Sequence, residues 1–208
     1  MEMGERETRL ETIFGGVAAS TRCEQKQRAT LEEIVQLAVE IAREGREGRK
    51  IGTLFTVGDT AEVLGRSRPL LLDPLYGHSD EVRDVKRAEF RETVKELAQL
   101  DGAFVVRADG VIVSAGRYVD VDLSDTVFTP GLGTRHAAAA SITSATDTIA
   151  VVVSQSSVVR VYARGEIRAE IIPELFLLQR DQLFVRDAEV RQVPEAGITL
   201  ALPAEAAA

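Results

Sequence analysis

Apolar positions along the chain fall into two rhythms. Leu31, Ile34, Val35, Ala38, Ile41 and Ala42 recur at helical spacing. Thr30-Leu31-Glu32-Glu33 reads as a capping box opening that helix, and Gly45 and Gly48 as its stop. Ile51 to Val57 is a short apolar run ending at Gly58-Asp59, which predicts a buried strand. Residues 59–88 are irregular, and Leu70-Leu71-Leu72 between Pro69 and Pro74 fits an edge strand or a packed loop. Phe90, Val94, Leu97 and Ala98 define a second helix ending near Leu100. Ala103–Arg107 and Val111–Ser114 flank Asp109-Gly110, a hairpin signal. Arg117–Asp122 alternates and extends the sheet. A helix is expected from Arg135 to Thr146, then strands at Ile149–Val153, Val158–Tyr162 and Ile167–Ile172, and a last helix from Pro173 through Leu178.

Interspersed helices, strands and hairpins predict an α/β fold with a mixed sheet and helices on both faces. No repeat of 20–50 residues is present, so a solenoid is not expected. The reading divides the chain into a polar arm at 1–29, a domain at 30–180 and an extension at 181–208 that is expected to be weakly ordered in its tail from Pro194.

Composition narrows the class. The chain has 208 residues, 45% of them hydrophobic, which suits one domain with a core. No run approaches the roughly 20 apolar residues of a membrane span, and no secretory signal is apparent. Cys23 is the one cysteine, so no intrachain disulfide forms and a cytoplasmic location is expected. A net charge of −8 argues against general nucleic-acid binding.

The candidate chemistry lies between Gln99 and Gln155. Gly131-Leu132-Gly133-Thr134-Arg135-His136 is a glycine-bearing loop entering a helix. Such a loop presents unpaired N–H groups at the positive end of the helix dipole. Thr134 can cap that end or offer its hydroxyl to a phosphate. Arg135 adds a forked, permanent charge, and His136 can donate to a phosphate or ligate a metal. An ordinary capped helix explains the same residues equally well. Asp101-Gly102-Ala103 reads either as a turn or as bare backbone beside a metal-binding carboxylate. Ser154-Gln155 fits a turn or a phosphate or ribose contact at a strand end. His78 is expected to face solvent, and Asp120, Asp122 and Asp125 to be a solvated edge.

Taken together, Asp-Gly-Ala at 101–103, Gly-Thr-Arg-His at 133–136 and Ser154-Gln155 resemble the motifs of the diadenylate cyclase catalytic domain. Gly48 to Phe55 resembles that family's first core strand. Phe90–Ala98 and Gly116-Arg117-Tyr118 resemble its archaeal branch. The resemblance implies condensation of two ATP into cyclic di-3′,5′-AMP and two pyrophosphates, with Mg²⁺ or Mn²⁺. It implies Asp101, Arg135 and His136 as catalytic residues, with Asp101 and His136 toward the metal. Gly102, Ala103, Gly116, Gly131, Leu132, Gly133, Thr134, Ser154 and Gln155 are implied around the nucleotide. It also implies self-association as a face-to-face dimer or a larger even-numbered assembly, without nucleic acid or membrane. Ala137 stands where the family usually has a second Arg, so a nucleotide-binding sensor without turnover is the alternative.

Overall fold

The computed structural model describes residues 25–121 and 131–173, together with the backbone of strands 188–193 and 198–203. Four helices run α1 Gln25–Glu44, α2 Thr60–Gly65, α3 Ala88–Leu97 and α4 Thr134–Ala145. The strands are β1 Thr53–Val57, β2 Ser67–Pro69, β3 Ala103–Val106, β4 Ile112–Val119, β5 Ile149–Val153, β6 Val159–Ala163, β7 Glu166–Ile171, β8 Ala188–Val193 and β9 Ile198–Pro203.

Seven strands form one sheet in the order β2-β4-β3-β1-β5-β6-β7, and β8 and β9 pair as a separate hairpin. β1 and β3 are parallel, and the other neighbours are antiparallel. Successive residues of a strand point to opposite faces, so the central strands are buried on both faces and mostly apolar, with Thr53 and Thr56 of β1 the buried polar exceptions. Phe55, Val57, Phe104, Val106, Val151 and Val153 pack with α1 and α3 on one face. Leu54, Ala103, Val105, Ala150 and Val152 pack with α2 and α4 on the other. The mixed sheet with helices on both faces is therefore as expected.

The alanine run of α4 sets its distance from the sheet. Ala138, Ala139 and Ala140 are buried against the strands, and their short side chains let the helix axis approach. α3 is tied to α1 by charge as well as by Phe90 and Val94. Lys95 is buried, and its Nζ lies 3.0 Å from Glu40, 3.2 Å from Glu44 and 2.9 Å from Glu92. A buried ammonium needs that many partners, because desolvation alone would be prohibitive.

Three expectations are corrected. Thr30 does not cap a helix. α1 begins by Gln25, and Thr30 is buried inside it, donating from Oγ1 to the Ala108 carbonyl at 2.8 Å. Leu71 and Leu72 are neither strand nor packed loop, being 87% and 79% exposed, and the edge strand is Ser67–Pro69. The hairpin return from Val111 and the continuation past Arg117 are as expected, joined in one strand β4 that runs through Gly116 with register shifts against β3, and the missed strand β9 is the third correction. Gly45 does end α1, with φ 58° and its N–H on the Ile41 carbonyl. The expected helix beyond Pro173 lies outside the described residues, as do Asp122 and Asp125. The chain from Pro194 contributes β9, although the sequence predicted no strand there.

Candidate active site

Sheet register brings the separated motifs to one end of the sheet. Leu54 lies opposite Ala103, and Thr53 lies opposite Val153. The residues just beyond these pairs are Gly52, Gly102 and Ser154, so the starts of β1 and β3 and the end of β5 share an edge.

Gly102 is there for two physical reasons. Its φ is 101°, in the region that favours glycine. A Cβ on it would lie 2.6 Å from the carbonyl carbon of Gly116. Gly116 itself has φ 65°, and its carbonyl accepts the Leu70 N–H at 2.9 Å. The neighbouring loop is hung from β4 by Asp73, which accepts from Ser114 Oγ at 2.6 Å and from the Ala115 N–H at 3.2 Å. Ala103 is buried and pairs with Arg117. The result is a bare stretch of backbone beside Asp101, whose side chain is 79% exposed.

α4 arrives over this edge. Its N-cap is Gly133 in extended conformation, with no side chain capping the helix end. Thr134 is therefore the first helical residue and exposed, which removes the capping role expected for it and leaves its hydroxyl outward. Gly131 has φ 88° and is exposed, and Leu132 is half-buried. Arg135 reaches back across the sheet edge, and its Nη2 donates to Asp101 Oδ1 at 3.1 Å. The Asp-Gly-Ala strand start and the Gly-Thr-Arg-His helix start are thus joined by one ion pair.

His136 points the other way, into the core. It is 6% exposed, and its Nδ1 lies 3.0 Å from the Tyr162 hydroxyl. Burial, helped by the nearby positive charges of Arg160 and Arg135, pulls its pKa down to about 4. The ring is neutral at pH 7, and any contact with a metal or phosphate runs through Nε2. Burial pushes the Tyr162 phenol up. Ser154 uses its hydroxyl in the β5–β6 turn, 2.6 Å from Ser156 Oγ and accepting the Val158 N–H at 3.4 Å. Gln155 beside it is exposed, as is His78.

Residues 40–167 match the model of the DAC family, described as DisA bacterial checkpoint controller nucleotide-binding. The chain belongs to this family. It is 46% identical over 156 residues to a diadenylate cyclase of Methanocaldococcus jannaschii, covering 74% of this chain and 49% of that one. It is 36% identical over 147 residues to a diadenylate cyclase of Haloferax volcanii, covering 70% and 54% respectively. The chain therefore spans about half the length of these relatives. A solved structure of a hypothetical membrane spanning protein from Bacillus cereus shares the fold, with a TM-score of 0.50, 20% identity, and coverage of 68% of this chain and 66% of that one. No helix among the described residues is long and apolar enough to cross a membrane.

Two residues of this DAC domain were not singled out from sequence. Tyr162 holds the His136 ring, and its position at the end of an alternating strand gave no sign of that. Gly52 lies under the Arg135 guanidinium; a glycine directly before an apolar strand, with no turn to make, was the available signal. Among the described residues no group of three or more His, Cys, Asp or Glu could hold a metal ion. A fully protein-bound metal does not fit this donor set. A Mg²⁺ or Mn²⁺ carried on a nucleotide does, because such ions take most ligands from phosphate and water and need one exposed carboxylate.

Proposed function

We propose that this DAC domain is a diadenylate cyclase, condensing two ATP into cyclic di-3′,5′-AMP with release of two pyrophosphates. Family membership and the two relatives' names support the reading. The single observation that carries it is the Asp101–Arg135 pair at 3.1 Å, because it brings both motifs to one exposed sheet end. A triphosphate needs N–H donors, a fixed cation and room for its backbone-hugging path. Gly131, Leu132, Gly133 and Thr134 line the N–H end of α4, Arg135 supplies the cation, and Gly102, Ala103 and Gly116 leave the backbone bare. Ser154 and Gln155 border the same edge.

In the reaction the 3′-oxygen of one ATP attacks the α-phosphorus of the other. The bond to pyrophosphate breaks, the hydroxyl proton passes to water, and the same transfer in the opposite direction closes the ring and releases the second pyrophosphate. Catalysis of such a transfer is mostly positioning and charge stabilisation. Arg135 and the α4 N–H groups stabilise the charge gathering on the pyrophosphate. Asp101 would hold a divalent ion carried on the nucleotide, beside the attacking hydroxyl. When bound, that ion neutralises phosphate charge and makes the hydroxyl easier to deprotonate. His136, neutral and anchored on Tyr162, lies behind this edge in the core and holds the first turn of α4 in place, so the metal contact expected for it is not part of this reading. Each domain holds one ATP, so two domains meet face to face, and larger even-numbered assemblies repeat that pair. ATP as substrate fits a cytoplasmic protein.

The test is incubation with ATP and Mn²⁺ or Mg²⁺, with the product identified by mass spectrometry. Cyclic di-AMP is the expected product. Tight ATP binding by calorimetry without product would replace the reading with a nucleotide sensor. Absence of both would leave a structural module.

A further inference from the structure

We infer that Gly52 is a positioning residue of the site, present so that the Arg135 guanidinium can lie across the start of β1. This rests on the reading of Arg135 as the residue that holds the triphosphate. The usual reason for a glycine is absent here. Gly52 is not among the residues with positive φ, so its backbone conformation is open to any L-residue. What fails is space. A Cβ on Gly52 would lie 3.0 Å from Arg135 Nη1, 3.5 Å from its Cζ and 3.3 Å from the Val153 carbonyl oxygen.

Those neighbours differ in how readily they yield. The Val153 carbonyl belongs to β5 in the middle of the sheet, where Val153 pairs with both Thr53 and Val159. The guanidinium is the free end of a long side chain. A side chain at position 52 would therefore displace Arg135 and leave the strand in place. Arg135 is also held narrowly on its other sides. Its Nη2 is on Asp101, and its Nε is buried with no hydrogen-bond partner among the described residues. A buried N–H left unpaired is unfavourable, and the guanidinium keeps that pose only because Gly52 gives it a floor without a side chain. The geometry thus makes the missing Cβ of Gly52 part of what aims Arg135 at the position of a phosphate.

The experiment is a double-mutant cycle with a second, ligand-free readout. Dissociation constants for ATP with Mg²⁺ are measured by calorimetry for the parent, Gly52→Ala, Gly52→Val, Arg135→Ala and Gly52→Val/Arg135→Ala. Thermal midpoints are recorded beside them. Loss of a charge-assisted contact predicts roughly ten- to a hundredfold weaker binding for Arg135→Ala. Gly52→Val is expected to approach that loss, with Gly52→Ala between it and the parent and both midpoints near the parent's. In the Arg135→Ala background, Gly52→Val is expected to change nothing further. If it weakens binding there by the same factor as in the parent, Gly52 does not act through Arg135 and the inference is overturned. The second readout is the Arg135 Nε–H resonance in the free protein, assigned by its disappearance in Arg135→Lys. Slow exchange with water is expected in the parent and fast exchange in Gly52→Val. An unchanged resonance and exchange rate in Gly52→Val overturns the inference, whether or not the protein binds ATP. A parent that binds no ATP refutes the proposed function alone, and the resonance then decides the positioning role.

Discussion

Titrating the protein with acid tests the electrostatics of His136. The ring is buried against Tyr162, and its pKa falls from 6.5 to about 4. At about 1.4 kcal/mol per pH unit, that drop corresponds to about 3 kcal/mol. The sign follows from which state binds the proton first. The unfolded chain protonates His136 near its ordinary value, and the folded chain only near 4. Between those values the unfolded state holds more protons, so stability falls as pH falls. The contribution is complete above the ordinary value and lost progressively down to about 4, where the folded state protonates too. Other groups titrate in the same range, so the comparison is with His136→Asn, whose amide can still meet the Tyr162 hydroxyl but carries no titrating ring. Urea unfolding of both proteins between about pH 4.5 and 8 gives the difference in stability. The parent's advantage over the variant is expected to shrink by about 2.5 kcal/mol over that range. Parallel curves would refute the reasoning and would mean that His136 takes up its proton without leaving the fold. The outcome bears on function. A neutral, buried ring at pH 7 cannot neutralise a phosphate, so on the proposed function that task falls to Arg135 and the helix end.

Two further outcomes are expected. Thr30→Val keeps the shape of a buried residue and removes its bond to the Ala108 carbonyl; it should lower the unfolding free energy by about 1–2 kcal/mol, measured by urea denaturation. On the proposed mechanism each domain holds one ATP, so initial rate per subunit should rise with protein concentration until pairing saturates. Light scattering beside the rates decides it, and full specific activity from a strictly monomeric species would refute the two-half-site mechanism.

What the sequence made legible is what depends on neighbours along the chain. The apolar runs at 103–106 and 149–153, the Asp109-Gly110 turn and the Gly45 stop each rest on residues within a few positions, and the elements formed there. The motifs at 101–103 and 133–136 were visible for the same reason. Thr30, His136 and Gly52 were misread or passed over because their partners are distant in sequence. Thr30 looked like a cap because its local pattern with Glu33 is that of a cap, but its hydroxyl serves a carbonyl 78 residues away. His136 looked like an outward ligand because it follows Arg135 directly. One step along a helix turns a side chain by about 100°, which sends it to Tyr162 while Arg135 stays at the edge. Gly52 had no local role to reveal it, since its significance is the guanidinium that α4 lays across it.

The ion pair at the centre of the site also fixes how Asp101 must behave toward a nucleotide. In the free protein, Asp101 and Arg135 satisfy each other at 3.1 Å. On the proposed function a triphosphate engages Arg135 and is repelled by Asp101. A divalent ion needs Asp101 and is repelled by Arg135. Each ligand alone must break the pair, and the two together exchange it for better partners. Asp101→Asn should therefore have effects of opposite sign with and without metal. An exposed pair of this kind is worth about 0.2–1 kcal/mol. Without metal, removing the carboxylate releases Arg135 to the phosphates, and ATP should bind about 1.4- to 5-fold more tightly. With Mg²⁺ or Mn²⁺, the variant loses its hold on the ion, so ATP should bind more weakly than to the parent, and turnover should vanish. Asn preserves size, so the fold and thermal midpoint should be kept. Calorimetry with ATP in the presence of chelator and again with Mg²⁺ gives both signs from one pair of proteins. If Asp101→Asn weakens ATP binding by the same factor in both conditions, the carboxylate contacts the nucleotide directly. If it is active at the parental rate, Asp101 is neither the metal residue nor the group facing the 3′-hydroxyl.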